Sequence, residues 1–255
     1  MRWTSRQRSM LTEMGIRLWG PAPGSLGEAG RDAPPMKAAP AAVAGLPAST
    51  QLDAQREQRP TGIGTMDWPA LREAVASCTA CGLCRSRTNT VFGVGNPRAR
   101  WMIVGEAPGE REDLKGEPFV GKSGELLDSM LRALQLTRGE DTPARQVYIA
   151  NTLKCRPPAN RNPEPGELAK CEPFLVRQIE LVRPAIILAM GRFAVQALLR
   201  STEPIGRLRG REHRYHGVPL IVTYHPAYLL RNPPDKARAW DDMCLALELS
   251  AAASA

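Results

Sequence analysis

The chain has 255 residues, enough for one medium domain or two small ones, and a formal net charge of +8. No run approaches the roughly 18 consecutive apolar residues that a membrane-spanning helix needs, so we expect a cytoplasmic protein with no membrane partner. The basic balance fits a polyanionic partner without identifying one, since many cytosolic proteins are basic for no specific reason.

The N-terminal quarter differs in composition from the rest. Residues 20–60 are dominated by Ala, Pro, Gly and Ser, and such a segment buries too little apolar surface to offset the entropy of ordering it. We therefore predict a disordered extension over residues 1–64 and one folded domain over 65–255. We expect that domain to act as a monomer.

Along the folded part, apolar runs alternate with segments of helical spacing. Strands alternating with helices indicate an α/β fold with a parallel sheet covered on both faces. A polar loop is predicted over 106–121, and Ser123 is the predicted N-cap of the helix that follows. The predicted strands are 100–105, 147–151, 185–190 and 220–224, and the predicted helices are 68–77, 124–136, 166–182, 191–199 and 234–249.

Three polar residues stand where predicted strands end. Glu106, Asn151 and His225 each close or follow an apolar run. Ligands of open parallel sheets bind at the carboxyl ends of the strands, so these side chains are expected around one crevice. Phe119, in the loop after the first strand, is either a core residue or a ring that stacks on an extruded base.

The cysteines suggest a metal centre. Cys78 and Cys81 have the spacing of a two-ligand chelate, while Cys155 and Cys171 form a wider pair. Four thiolates suit either tetrahedral zinc or an iron–sulfur cubane. A zinc ribbon normally supplies a second close pair, so the cluster is favoured and zinc stays open. Cys84 forms a competing chelate with Cys81.

Residues 116–123 match the phosphate-binding pattern G-x-x-x-x-G-K-[ST] letter for letter. A phosphate-binding loop of this kind must leave a strand directly, yet the preceding residues 110–115 are polar and charged. It also presents consecutive backbone N–H groups, and Pro118 has none. A nucleotide hydrolase is therefore a minor alternative, which ATP binding would reveal.

Several ordered motifs together resemble the family 4 uracil-DNA glycosylases. They are CTACGLCRSRTNTVFG at 78–93, GEAPGEREDLKGEPFVGKSG at 105–124, NTLKCRPP at 151–158 and TYHPAYLLR at 223–231. The resemblance covers about residues 67–247. It implies a three-layer α/β/α sandwich around a central four-stranded parallel sheet, and a [4Fe–4S] cluster held by Cys78, Cys81, Cys155 and Cys171, with Cys84 as a bystander.

The resemblance also implies an activity. Such an enzyme flips uracil out of single- or double-stranded DNA, hydrolyses the N-glycosidic bond and leaves an abasic site, which initiates base excision repair. Phe119 would stack on uracil, Asn151 would read its polar edge, and His225 would face the O2 side where negative charge grows. Glu106, His225 and Asn151 would be catalytic, and Glu106, Ala107, Phe119, Asn151 and His225 would form the uracil pocket.

Two positions depart from the wider superfamily, which often has an aspartate where Ala107 stands and a tyrosine where Gly109 stands. The attacking water would be oriented by Glu106, Glu112, Asp113 or Asn151, or the reaction would rely mainly on stabilisation of the leaving group; Glu106 is our preferred candidate. Tyr228, Leu229 or Leu230 is the expected wedge in the gap left by the flipped base. Arg207, Arg209, Arg211 and Arg231 are candidates for contacting phosphates, against the alternative of a solvated basic face.

A DNA-binding module without turnover is the competing class. A relative that traps its product covalently carries a basic insertion with a histidine, and no such insertion stands between Asn151 and Cys171. The sequence therefore favours a monofunctional glycosylase.

Overall fold

The structure of the chain is a computed structural model that describes Glu13 and residues 60–252. The predicted extension over 1–64 lies outside the described residues except for Glu13 and residues 60–64. Ile63 is buried beside Leu71 and Phe174, so packing begins slightly before the predicted start at residue 65. Each helix in the described part of the chain is too short or too polar to cross a membrane.

One mixed sheet forms the centre, with the strand order β1-β3-β2-β4-β6-β5. The four inner strands are parallel, which confirms the predicted core of the sheet. The two outer strands, β1 and β5, pair antiparallel and were not predicted. The strands are β1 (Val94–Gly95), β2 (Trp101–Gly105), β3 (Val147–Asn151), β4 (Ile186–Met190), β5 (Glu212–Tyr215) and β6 (Val218–Thr223).

Helices cover both faces of this sheet. Three short helices, Glu110–Lys115, Ile205–Leu208 and Pro226–Arg231, lie in segments for which no helix was predicted. The helices are α1 (Trp68–Ala76), α2 (Glu110–Lys115), α3 (Lys122–Ala133), α4 (Pro165–Val182), α5 (Arg192–Leu199), α6 (Ile205–Leu208), α7 (Pro226–Arg231) and α8 (Lys236–Ala252).

Helix α2 interrupts the segment that was predicted to be a loop. Its first turn carries Glu110, Glu112 and Asp113, which interact favourably with the positive end of the helix dipole. Gly116 ends it in the left-handed conformation at φ 74°. The phosphate-loop pattern at 116–123 therefore follows a helix and not a strand, which agrees with its rejection.

Helix α3 begins one residue earlier than its predicted cap. Gly121 is its N-cap, and Ser123 lies in the first turn, so the prediction of Ser123 as the cap is wrong. The Ser123 side chain lines the crevice described below.

The alternation of side chains along β2 shows how the layers are packed. Trp101 and Ile103 point to a core shared with α3 and α8, while Met102 and Val104 point to a core shared with α4 and α5. All five residues of β2 are buried. The sandwich of three layers is thereby confirmed.

Candidate active site and cysteine cavity

A crevice of about 1010 Å³ opens at the carboxyl ends of the parallel strands. Glu106, Ala107, Phe119, Asn151 and His225 all line it, so every residue of the expected uracil pocket borders the same space. Gly105 of β2 pairs in register with Asn151 of β3, which sets the first two strand ends side by side. The expectation that ligands bind at the carboxyl ends of parallel strands therefore placed these residues correctly.

Gly105 allows Phe119 and Asn151 to approach each other. A Cβ atom at Gly105 would lie 2.4 Å from the Asn151 Oδ1 and 2.7 Å from the Phe119 ring. Any larger side chain at this strand end would push both out of place. The floor of the crevice is thus as close-packed as a protein core.

The loop that carries Phe119 has an unusual backbone. Phe119 adopts φ 54°, a left-handed conformation that is costly for a residue with a side chain. Arg138 holds the loop: its Nη1 donates to the Pro118 carbonyl at 2.9 Å, while its Nε pairs with Asp128 at 2.7 Å. Gly124 lets the Phe119 carbonyl pass directly over α3, since a Cβ there would lie 1.8 Å from that oxygen.

His225 stacks on Phe119, with ring centroids 5.2 Å apart and 23° between the planes. The backbone N–H of Ala227 donates to its Nδ1 at 3.2 Å, so that nitrogen carries no proton and Nε2 is the donor. Burial, with a contribution from Arg231, lowers the pKa of His225 to about 4. The ring is therefore a neutral hydrogen-bond donor at physiological pH.

Gly191 gives His225 its space. It has φ +93°, and a Cβ at this position would lie 3.1 Å from the Cβ of His225. A side chain at the end of β4 would thus be strained and would press on the catalytic candidate.

Glu106 is half-buried, and burial raises the pKa of its carboxyl group, while the charge of Arg192 opposes that rise. Arg192 also lines the crevice, immediately after Gly191 at the end of β4. Sequence reasoning missed Arg192. The signal was available, because β4 ends at the same sheet edge as the other three parallel strands.

Asn151 is almost fully buried, with 2% of its surface exposed. Its side-chain amide makes no hydrogen bond to any other residue in the described part of the chain. Because the residue lines the open crevice, its amide can pair with a ligand that has both donors and acceptors.

The backbone of Asn151 is fixed from behind by Lys154. The Lys154 Nζ donates to the Asn151 carbonyl at 2.8 Å and to the Gln178 Oε1 at 2.6 Å. Gln178 in turn donates to the Phe92 carbonyl and to the Tyr148 hydroxyl. Burial lowers the pKa of Lys154 to about 8, with Cys171 and Cys155 acting in the opposite direction.

Lys154 also lines a second, smaller space, the cysteine cavity. Five thiols border it: Cys78, Cys81, Cys84, Cys155 and Cys171. The four expected cluster ligands are therefore together, and Cys84 is beside them. Among the described residues, no three His, Cys, Asp or Glu side chains are arranged to hold a single metal ion.

Arg87 and Lys154 each donate a hydrogen bond to a thiol of this cavity. The Arg87 Nη1 donates to the Cys155 Sγ at 3.1 Å, and the Lys154 backbone N–H donates to the Cys171 Sγ at 3.3 Å. Burial raises the pKa of Cys155 to about 11 and that of Cys171 to about 12. A cationic group bound between the sulfurs would supply the charge that ionised thiolates require.

Only some of the predicted DNA contacts lie at the crevice. Leu229 is fully buried in the core, so the prediction that it touches DNA is wrong; its neighbour Leu230 is 43% exposed. Tyr228 lines the crevice, but its hydroxyl donates to Asp235 at 2.7 Å. Arg231 is exposed and lines the crevice.

Arg209 is not available for phosphates. Its guanidinium pairs with the fully buried Asp242, with Nη2 2.9 Å from Oδ1 and Nε 3.1 Å from Oδ2. Releasing it would leave a buried carboxylate without its partner, which is strongly destabilising. The prediction of Arg209 as a DNA contact is therefore corrected to a structural ion pair.

Comparison with known proteins identifies the relatives of this chain. The family model of the uracil DNA glycosylase superfamily matches residues 92–244. A type-4 uracil-DNA glycosylase of Archaeoglobus fulgidus is 47% identical over 167 residues, which are 62% of this chain and 81% of the relative. Type-4 enzymes of Thermotoga maritima (45% over 168 residues, 65% and 84%) and Pyrobaculum aerophilum (39% over 188 residues, 71% and 93%) are also similar.

Proposed function

Because the chain belongs to the uracil-DNA glycosylase superfamily, we propose that it hydrolyses the N-glycosidic bond of deoxyuridine in DNA and releases free uracil. The observation that carries this proposal is the convergence of three groups in the crevice: the Phe119 ring, the unpartnered Asn151 amide and the neutral His225 ring. Together they offer a stacking face, a base-edge reader and a hydrogen-bond donor.

The bond that breaks joins C1′ of the sugar to N1 of uracil, and its electron pair leaves with the base. Negative charge then spreads to the uracil O2, while the sugar gains oxocarbenium character. The Nε2–H of His225 can donate to that oxygen, since Nδ1 is already occupied by the Ala227 N–H. A preorganised donor in a site free of bulk water is the strongest stabilisation available.

Asn151 supplies recognition. Its amide has a donor and an acceptor, which complement the O4 and N3–H of uracil. Cytosine offers the reverse pattern on the same edge, so the contact discriminates between the two bases. An analogue that leaves the buried amide unpaired is rejected strongly, because the amide then forgoes its hydrogen bonds.

Glu106 is our proposal for the residue that orients the attacking water. The water oxygen adds to C1′, and one of its protons must pass to a base. The raised pKa of the Glu106 carboxyl suits it to accept that proton. A Glu106→Ala protein with unchanged single-turnover release of uracil would remove this role.

We further propose that Cys78, Cys81, Cys155 and Cys171 hold a [4Fe–4S] cluster. The five thiols in the lining of the cavity support a cationic iron–sulfur core held by thiolates, whose negative charge the nearby Arg87 and Lys154 would offset. When bound, the cluster would join three separate segments of chain and stabilise the fold.

On the DNA side, Leu230 is our candidate for the wedge, with Arg231 and Arg192 as candidates for phosphate contacts. We expect a monomer that acts on DNA in the cytoplasm.

The test is release of uracil from an oligonucleotide with one deoxyuridine, followed by alkaline cleavage, in the presence of EDTA. We expect strand breaks at uracil and none at thymine in a matched oligonucleotide. Tight binding without release would instead identify a binding module, and Ala107, which offers no carboxylate, would then explain the missing step.

A further inference from the structure

The cysteine cavity holds one thiol more than a cubane cluster uses. Cys78, Cys81, Cys155 and Cys171 account for four ligands, and Cys84 lines the same space. We propose that Cys84 is a reserve ligand, which takes the corner of the cluster held by Cys81 when that thiolate is lost. This inference rests on the cluster proposed above.

The local backbone places Cys84 beside Cys81. Residues Gly82–Arg85 form a 3-10 turn, and the Cys84 N–H donates to the Cys81 carbonyl at 3.2 Å. Cys81 is the extended N-cap of this turn, and both cysteines line the cavity. The spacing Cys81-x-x-Cys84 also repeats the chelate spacing Cys78-x-x-Cys81.

No hydrogen bond among the described residues holds the Cys84 side chain in place, and the residue is partly exposed. The turn itself has space, because a Cβ at Gly82 would meet nothing within 4 Å. In contrast, Cys155 and Cys171 accept hydrogen bonds from Arg87 and Lys154. No other cysteine lies within three residues of either one in the sequence.

The exchange is a ligand substitution at one iron. The bond from iron to the Cys81 sulfur would break and a bond to the Cys84 sulfur would form, while the proton of the Cys84 thiol would pass through solvent to the released Cys81 thiolate. The iron atoms keep their electrons throughout, so no oxidant or reductant is required.

The decisive variant is Cys81→Ser, purified without oxygen as the full chain, with Cys155→Ser as the matched control. Iron and acid-labile sulfide are measured per chain. We expect Cys81→Ser to keep at least about half of the wild-type iron, and Cys155→Ser to lose roughly tenfold. Cys84→Ser alone should keep its iron, and the Cys81→Ser/Cys84→Ser double variant should lose it.

Alkylation with iodoacetamide, mapped by mass spectrometry, locates the ligand directly. In the wild-type holoprotein we expect Cys84 to be alkylated and Cys81 to be protected. In Cys81→Ser, Cys84 should become protected. This readout follows the metal and not the uracil-release activity.

Several results would overturn the inference. They are iron loss in Cys81→Ser as deep as in Cys155→Ser, failure of Cys81→Ser to fold, iron loss in Cys84→Ser, or continued alkylation of Cys84 in Cys81→Ser. A wild-type protein that releases uracil but carries no iron would remove the cluster and this inference with it. The glycosylase function would then stand.

Discussion

The crevice and the cysteine cavity are neighbours that are built on opposite principles. The crevice is wide, about 1010 Å³, and its recognition amide on Asn151 has no partner among the described residues. The cavity is closed by groups that are already paired, such as Arg87 with Cys155. A site that binds and releases its ligand keeps polar groups unsatisfied, whereas a site for a resident group surrounds it with fixed partners.

Lys154 lies on the boundary between the two regions. It is fully buried, it follows the strand that ends in Asn151, and it precedes Cys155. On the crevice side, its ammonium group donates a hydrogen bond to the Asn151 carbonyl. The contrast therefore predicts different consequences for substitutions on either side of this lysine.

The largest effect is expected on the crevice side, in Asn151→Ala. Removing the base-reading amide should lower kcat/KM for uracil release by roughly 10²–10³-fold, with stability nearly unchanged. Asn162→Ala, at an exposed asparagine of the same crevice, is the control and should act like wild type. Single-turnover release measures both. A decrease in kcat/KM of less than about threefold in Asn151→Ala would show that the amide is not a recognition group.

Gly105→Ala tests the close approach of the crevice residues. The new Cβ would displace the Asn151 Oδ1 and the Phe119 ring, which lie within 3.0 Å of it. We expect kcat/KM to fall about 10²-fold, because displacements near 1 Å have effects of that size.

Gly166→Ala is the matched control for Gly105→Ala, since its Cβ would meet nothing within 4 Å. Both variants should unfold in urea with transitions as sharp as wild type. Equal activities of the two variants would show that the crevice tolerates rearrangement.

Lys154→Met tests the boundary itself. The change leaves the Asn151 carbonyl and the Gln178 Oε1 without their donor, which should destabilise the fold by roughly 1–3 kcal/mol. Activity should fall about tenfold, through the shifted Asn151 backbone. Urea unfolding and uracil release are measured on the same sample.

Lys115→Met is the comparison for Lys154→Met, because Lys115 is exposed and pairs with the exposed side chain of Glu117 at 3.0 Å. It should change stability by less than about 1 kcal/mol. If Lys154→Met were equally mild, the two regions would be independent of each other.

The last effect is the pH dependence of His225. Its pKa is lowered to about 4 in the folded protein, from an unfolded value near 6.5. Its contribution to stability is therefore present above about pH 6.5 and is lost as pH falls toward 4. The slope from this residue is at most about 1.4 kcal/mol per pH unit.

Urea unfolding of wild type and His225→Gln between pH 7 and pH 4.5 measures this contribution. The variant should lose stability less steeply as pH falls. Identical slopes would mean that the ring titrates normally and is exposed, unlike the closely packed group that contacts Phe119.

Much of the parallel sheet and the crevice could be predicted, because both follow from buried strands and their ends. The edge strands could not: β1 has only two residues, and β5 is the polar run Glu212–Tyr215 with no apolar pattern. Helix α2 was not predicted, for a related reason. Its single large apolar residue, Leu114, is 65% exposed, so no amphipathic spacing marks it.

The DNA-contact predictions failed where packing decided the outcome. Leu229 and Leu230 are identical residue types next to each other, and only the orientation of α7 shows which one is buried. Arg209 is basic and near the predicted strand, but its partner Asp242 is 33 residues away in sequence. Long-range pairs of this kind leave no local signal.

The spread of the cluster ligands along the chain has a consequence for synthesis. Cys171 follows Cys78 by 93 positions (171 − 78), with the strands β1, β2 and β3 between them. At roughly 5–20 residues per second, the ribosome needs on the order of 5–20 s to make the second pair after the first. During that interval Cys78, Cys81 and Cys84 form a nascent three-thiol segment that must stay reduced until Cys155 and Cys171 emerge.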